Sequence, residues 1–228
     1  MASEVDICNM ALGHLGDEAN VSAINPSDGS AQADHCVVYY PMARDETLQR
    51  HAWSFATKRQ ALALLSTTEK PGNWLYAYQR PADCLQPIAV LAPVDTTTSG
   101  SLTSFPPTDP LNLRFKNNDD SENEYICETL ADGTEVIYTN VETALLRYVR
   151  NITDTTKFTP LCRAAIARLL ASKLAGPIIK GETGAKVAAA HLRQFETVDL
   201  PLATGTDSKA QRRNVYRDFV PDAINVRQ

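Results

Sequence analysis

Apolar residues recur at helical spacing toward both ends of the chain and at strand spacing in its middle. Cys8, Leu12 and Leu15 share one face of a first helix, with Ser3 placed to cap it and Asp6 positioned to complete a capping box. Gly16 is its natural stop. Asn25, Pro26, Asp28 and Gly29 make a turn. A second helix then covers residues 30–50, with Ala31, Val38, Met42 and Leu48 as its apolar positions. Pro41 inside it predicts a kink or break, because proline removes a helical hydrogen bond and crowds the preceding turn. From Trp53 the pattern changes to an extended exit, with Trp53 and Phe55 alternating with Ser54 and Thr57.

Strand patterns fill residues 72–152. Trp74, Tyr76 and Tyr78 alternate, as do Leu111, Leu113 and Phe115. Two apolar runs, at 125–127 and 136–138, flank Asp132-Gly133, a strong hairpin signal. The Pro- and Thr-rich residues 93–110 read as a long surface loop, and 116–123 as a polar turn. Helix returns at Thr159-Pro160, a cap followed by proline at the first helical position. Leu161, Ala165, Ile166, Leu169 and Leu170 form its stripe, and Gly176-Pro177 its predicted end. A fourth helix over 183–200 places Val187, His191, Phe195 and Val198 on one face, and alanines are frequent in both helices. The remaining residues are polar, then basic, and close on aromatic and aliphatic side chains.

This order predicts an α+β protein: a helical bundle formed by N- and C-terminal helices, with an inserted antiparallel β domain and a C-terminal arm. The expected boundaries are 1–68 for the N-terminal helices, 69–153 for the β insertion, 154–204 for the C-terminal helices and 205–228 for the arm.

Composition narrows the chemistry. With 43% hydrophobic and 21% charged residues the chain can bury a core, and no apolar run approaches the about 20 residues that span a bilayer. The start of the chain lacks a secretory apolar core, which points to the cytosol. The net charge of −5 gives no general affinity for DNA or anionic membrane, a balance that suits a protein past which DNA must slide. Five scattered cysteines without a C-x-x-C pair read as buried small hydrophobes, Cys127 beside Tyr125-Ile126 among them. No phosphate loop, H-E-x-x-H or G-x-S-x-G motif occurs, and the histidines lack metal-ligand spacing. Asp45 and Glu46, adjacent on a helix beside Arg44 and Arg50, read as a charge cluster rather than an acid/base pair. The aromatic row at 74, 76 and 78 could stack a sugar or a base, but it has little basic interleaving and reads better as the spine of a sheet.

Four separated stretches resemble the tail tubular protein A family, the head-to-tail adaptors of short-tailed bacteriophages. They are Asp6-Ile7-Cys8-Asn9 with 11–16; Tyr40, Arg44-Asp45, Leu48, His51, Trp53 and Phe55-Ala56; Asn73-Trp74, Tyr76-Ala77-Tyr78, Pro81 and Asp83-Cys84-Leu85; and Tyr148-Val149 with Asp154, Phe158 and Pro160. Pro41 and Pro201 interrupt helices that the family pattern continues. The resemblance implies a helical bundle carrying a β domain, with twelve copies in a ring between the portal protein and the tail nozzle or tube protein. It implies a continued channel for the genomic DNA, no catalysis, no cofactor and no membrane anchor, and a place in the virion neck after assembly in host cytoplasm.

The expected portal or neighbour-subunit contact is the arm, where Arg212, Arg213 and Arg217 accompany Tyr216, Phe219, Val220 and Ile224. Arginine with aromatics is a composition enriched at interfaces. Two other classes remain open at this point. One is a tail-associated glycan or peptidoglycan hydrolase; the other is a carbohydrate-binding module using the Trp74, Tyr76 and Tyr78 face.

Overall fold

A computed structural model describes residues 3–18, 20–66, 70–92 and 123–210. The protein is α+β. Helix α1 (Glu4–His14) starts on the anticipated capping box: the Ser3 hydroxyl accepts from the Asp6 N–H at 3.1 Å, and the Asp6 carboxylate accepts from the Ser3 N–H at 2.7 Å. Helix α2 (Ala31–Gln49) runs unbroken through Pro41. The proline lies on the outer side of the helix, so the Val37 carbonyl it leaves without a partner is on the exposed side and water can satisfy it. Helix α3 (Pro160–Ile179) begins at the Thr159 cap and passes through Pro177. Its stop is Lys180 followed by Gly181, both at positive φ, rather than Gly176-Pro177.

Helix α4 (Gly181–Gln194) turns back along α3. Its approach is so close that a Cβ on Gly184 would sit 2.9 Å from the Ala175 carbonyl oxygen. A π-helical turn (Phe195–Asp199) then changes the phase of the chain: Phe195 is buried, but Val198, expected on the same face, is exposed. Helix α5 (Leu200–Ala210) follows, with Pro201 in its first turn, where a missing N–H does little harm. The helical body therefore extends to residue 210, and the first six residues assigned to the arm belong to it. α3 is the central helix, packed by α1, α2, α4 and α5.

The β insertion begins earlier than expected. Strand β1 (Thr57–Ala61) pairs antiparallel with β7 (Leu145–Arg150), so the chain's entry to and exit from the insertion lie side by side. β4 (Cys84–Leu91) completes a β1-β7-β4 sheet as an edge strand, and register shifts around Pro87 accommodate its missing donor. The second sheet has the order β2-β3-β6-β5, from β2 (Ala63–Leu64), β3 (Tyr76–Gln79), β6 (Glu135–Thr139) and β5 (Tyr125–Thr129). The β5–β6 hairpin closes over Gly133 at φ 85°, as its Asp-Gly pair predicts. The predicted strand at 111–115 and loop at 93–110 lie outside the described residues.

One apolar core joins the bundle to the first sheet. Trp53, fully buried, donates its Nε1–H to the Thr47 carbonyl at 3.1 Å. Its ring lies 5.6 Å from Phe55, and Phe55 lies 5.8 Å from Phe158, where the chain returns to the helices. The expected extended exit from α2 is in fact this aromatic turn, with residues 53–56 leading into β1.

Candidate interaction faces

The row at 74, 76 and 78 does not form one platform. Tyr76 and Tyr78 stack at 6.3 Å and pack with Cys84, Val90, Ile137 and Leu146, and the Tyr78 hydroxyl donates to the Val141 carbonyl at 2.9 Å. Trp74 precedes the strand and packs on the opposite side of the sheet, against Ala77, Val136 and Tyr138. The two tyrosines are the spine of the sheet, and Trp74 is not aligned with them for stacking a ligand.

A Ser, a His and an Asp do come together, although 153 residues separate Ser54 from Asp207. The buried Asp207 carboxylate accepts from the Ser54 hydroxyl at 2.6 Å and the Ser54 N–H at 2.9 Å, and lies 3.2 Å from His51 Nε2. In a hydrolytic triad the imidazole stands between alcohol and carboxylate, so that it can take the alcohol proton. Here the carboxylate stands between the other two. The arrangement clamps α5 to the turn after α2, four residues before the arm. The charge cluster of α2 is likewise a tie between elements: Glu46 accepts from Lys173 of α3 at 2.8 Å and from Arg50 at 2.9 Å, while Arg44 donates to Asp45 at 2.8 Å.

His14 and His191 meet with their ring centres 6.3 Å apart, beside Arg168. Arg168 donates to Asp199 at 3.1 Å and lies 3.2 Å from His191 Nδ1, which must accept because arginine has no acceptor. Burial, then the Arg168 charge, holds both imidazoles below the ordinary histidine range. Among the described residues no group of three or more His, Cys, Asp or Glu could hold a metal ion. Cys8, Cys36, Cys84 and Cys162 are buried, and burial pushes the Cys162 thiol up to about 12. Cys127 is exposed, against the expectation from its apolar neighbours, because β5 is an edge strand whose residues after Tyr125 are all exposed.

Large apolar side chains are exposed in the β insertion, Leu64 and Leu75 among them, and on the helices. The buried side of α2 mixes small residues, Ala33, Cys36, Ala43 and Thr47, with Tyr40, Arg44 and Leu48. Val38 and Met42, two of the apolar positions of the predicted helix, are 58% and 53% exposed, and Val37 is exposed beside them. At 100° per residue, Ala31, Asp34, Val37, Val38, Met42 and Asp45 fall within about 140° of one another on the helix. The outward side of α2 is thus an apolar ridge between two carboxylates. Val37 and Pro41 also wall an open recess of about 600 Å³ whose rim carries Glu4 and Asp154.

α4 presents a different outward side. Glu182, Ala185, Lys186, Ala189, Ala190 and Arg193 span a similar arc, all exposed, with nothing larger than a methyl group between the two basic residues. Beyond it Val198 and Leu202 are 52% and 55% exposed. Charge follows the same division. Residues 3–49 contain eight acidic side chains and one basic, whereas residues 160–210 contain seven basic and four acidic.

No family model matches this sequence, and no curated protein is significantly similar to it. Among the described residues no helix is long and apolar enough to cross a membrane. The arm residues Arg212, Arg213, Tyr216, Arg217, Phe219, Val220 and Ile224 lie outside the described residues. The last described element before them is α5, held by the Asp207 clamp. Sequence reasoning picked out the alanines of the last helices but missed the ridge and the clamp. A helical wheel of α2 carries the signal for the ridge, since it shows apolar residues on all sides instead of one stripe.

Proposed function

We propose that this chain is a structural head-to-tail adaptor of a bacteriophage virion, many copies of which form a ring between portal and tail and continue the DNA channel. The observation that carries this reading is the pair of unlike, oppositely charged outward helix faces. A cyclic ring needs two different surfaces on each subunit that match each other, and an ordinary monomer has no use for a Val/Met ridge in water. The motif-level resemblance to tail tubular protein A, spread over most of the chain, supplies the place in the virion. An α+β bundle with a paired entry and exit for its insertion agrees with the fold that the resemblance implies.

In this reading the arm, residues 211–228, makes the portal contact. Its tyrosine, phenylalanine and aliphatic residues fill pockets, while its arginines meet acidic partner surface and make attachment salt-sensitive. The ring sits in the neck of the virion, assembles in host cytoplasm, and uses no cofactor. Neither alternative gains support: the carboxylate-centred clamp is the wrong order for activating Ser54, and the aromatic row is divided between two sides of a sheet.

The test is attachment to portal-bearing heads. A chain ending after Ala210 should keep its melting transition and lose attachment. Cutting at residue 206 would instead remove Asp207 and loosen the helical body. Full-length protein that does not bind portal-bearing heads at low salt would contradict the proposal.

A further inference from the structure

The two outward helix faces fit each other, and we infer that the α2 ridge of one copy docks on the α4 face of the next. This assignment rests on the ring-forming reading above and adds the partner surface to it. The steric argument comes first. Side chains on helices pack as ridges into grooves along i, i+4 rows, and Val38 and Met42 form such a row. On α4, Ala185, Ala189 and Ala190 keep the surface low beside and between Lys186 and Arg193, which follow one another along the helix, and a row of branched and sulfur-containing side chains can settle in this shallow channel.

The electrostatic argument is independent. Asp34 and Asp45 flank the ridge, Asp45 being paired with Arg44, and the recess beside it is lined by Glu4 and Asp154 as well as Arg44, which leaves this side net acidic. Lys186 and Arg193 flank the channel, with Lys180 exposed at one end of α4 and Lys209 on α5 beyond the other. Lys186 is paired within its own helix to Glu182, an exposed i, i+4 contact worth little and readily exchanged. Counting Glu182 with Lys186 and Arg193, the α4 side is still net basic, so net charges of opposite sign meet if ridge and channel come together, and net charges of like sign meet if either face pairs with itself. That favours a head-to-tail contact over a two-fold one.

The topology makes the contact intermolecular. α2 and α4 both pack on α3, so each turns its outward side away from that helix, and neither covers the other within one copy. A copy that has used its ridge still presents its channel. The association therefore continues until it closes.

Sedimentation velocity of the full-length chain, from micromolar to near-millimolar concentration, tests this. Wild type should associate beyond the dimer, and less so at high salt. Met42→Glu and Ala189→Glu should each melt like wild type but remain monomeric, since both positions are exposed. Mixed together, they should stop at the dimer, because only one intact ridge and one intact channel remain to meet. Asp34→Lys/Asp45→Lys protein and Lys186→Glu/Arg193→Glu protein should each fail to self-associate and should assemble when mixed.

A wild type that stays monomeric throughout, or variants that assemble unchanged, would overturn the seam. So would variants that alter only proteolysis of residues 211–228, which would make the chain's own arm the occupant. Any of these outcomes leaves the adaptor reading to be judged separately, by attachment to heads.

Discussion

The two sides of helix α2 are both rich in apolar residues, but only one of them is covered. Inside, Tyr40 and Leu48 are buried among Ala33, Cys36 and Ala43; outside, Val37, Val38 and Met42 stand in solvent. In a self-sufficient domain the large apolar residues would face the core and the outer side would be charged. In the reading proposed above, that outer side is the surface a second copy covers. The neck of the molecule shows the opposite economy. At residues 53–56 and Phe158 large aromatic rings are sealed between bundle and sheet, and nothing of Trp53 is left for a partner.

The sharpest way to break the contrast is to truncate one residue of each kind. Trp53→Ala should lower unfolding free energy by about 3–5 kcal/mol, since it removes a fully buried ring and strands the Thr47 carbonyl. Met42→Ala should change monomer stability by no more than about 0.5 kcal/mol. Equal effects in denaturant titrations would mean that Met42 is core after all.

Gly184→Ala sharpens the picture of the α3–α4 pair. In an exposed helix this change stabilises by roughly 0.5–1 kcal/mol. Here the new methyl group would meet a backbone carbonyl at 2.9 Å, so a loss of about 1–3 kcal/mol is expected, read as a lower melting midpoint. A gain would show that the two helices can part at no cost.

Much of the architecture is legible in the residues, for reasons of local chemistry. Ser3 with Asp6, Thr159 with Pro160, and Asp132-Gly133 each satisfy backbone groups within a few residues, so their effects do not depend on the rest of the fold. Pro41 and Pro177 mislead because a proline breaks a helix only where the freed carbonyl cannot find water or relief nearby. Val38 and Met42 mislead because a periodic pattern records which residues are apolar, and says nothing of which partner covers them. The Asp207 clamp and the His14–His191 pair join residues far apart in the chain, beyond the reach of any spacing rule.

Smaller effects probe the polar contacts. His14 and His191, held below their ordinary value of 6.5, leave the unfolded chain binding more protons than the folded one once pH falls beneath that value. Stability should therefore decline as pH drops from 6.5 toward the folded-state values, then level off with respect to these groups. His14→Gln with His191→Gln should flatten that part of the curve in denaturant titrations, and an unchanged slope would assign it elsewhere. The smallest effect belongs to Tyr40→Phe. The Tyr40 hydroxyl is buried with no hydrogen-bond partner among the described residues, so its removal should be neutral or stabilising, by up to about 0.5 kcal/mol. A clear loss in melting experiments would reveal a partner for that hydroxyl.

The central claim is that this chain's outward helix faces exist to build a ring between portal and tail. Cryo-electron microscopy of portal-bearing heads incubated with the full-length chain tests it most directly. The account predicts a closed ring beneath the portal, with α2 of each copy against α4 of the next, the arm reaching the portal, and an open axial channel. Heads with no added density, or a ring in which Val38 and Met42 still face solvent, would contradict it.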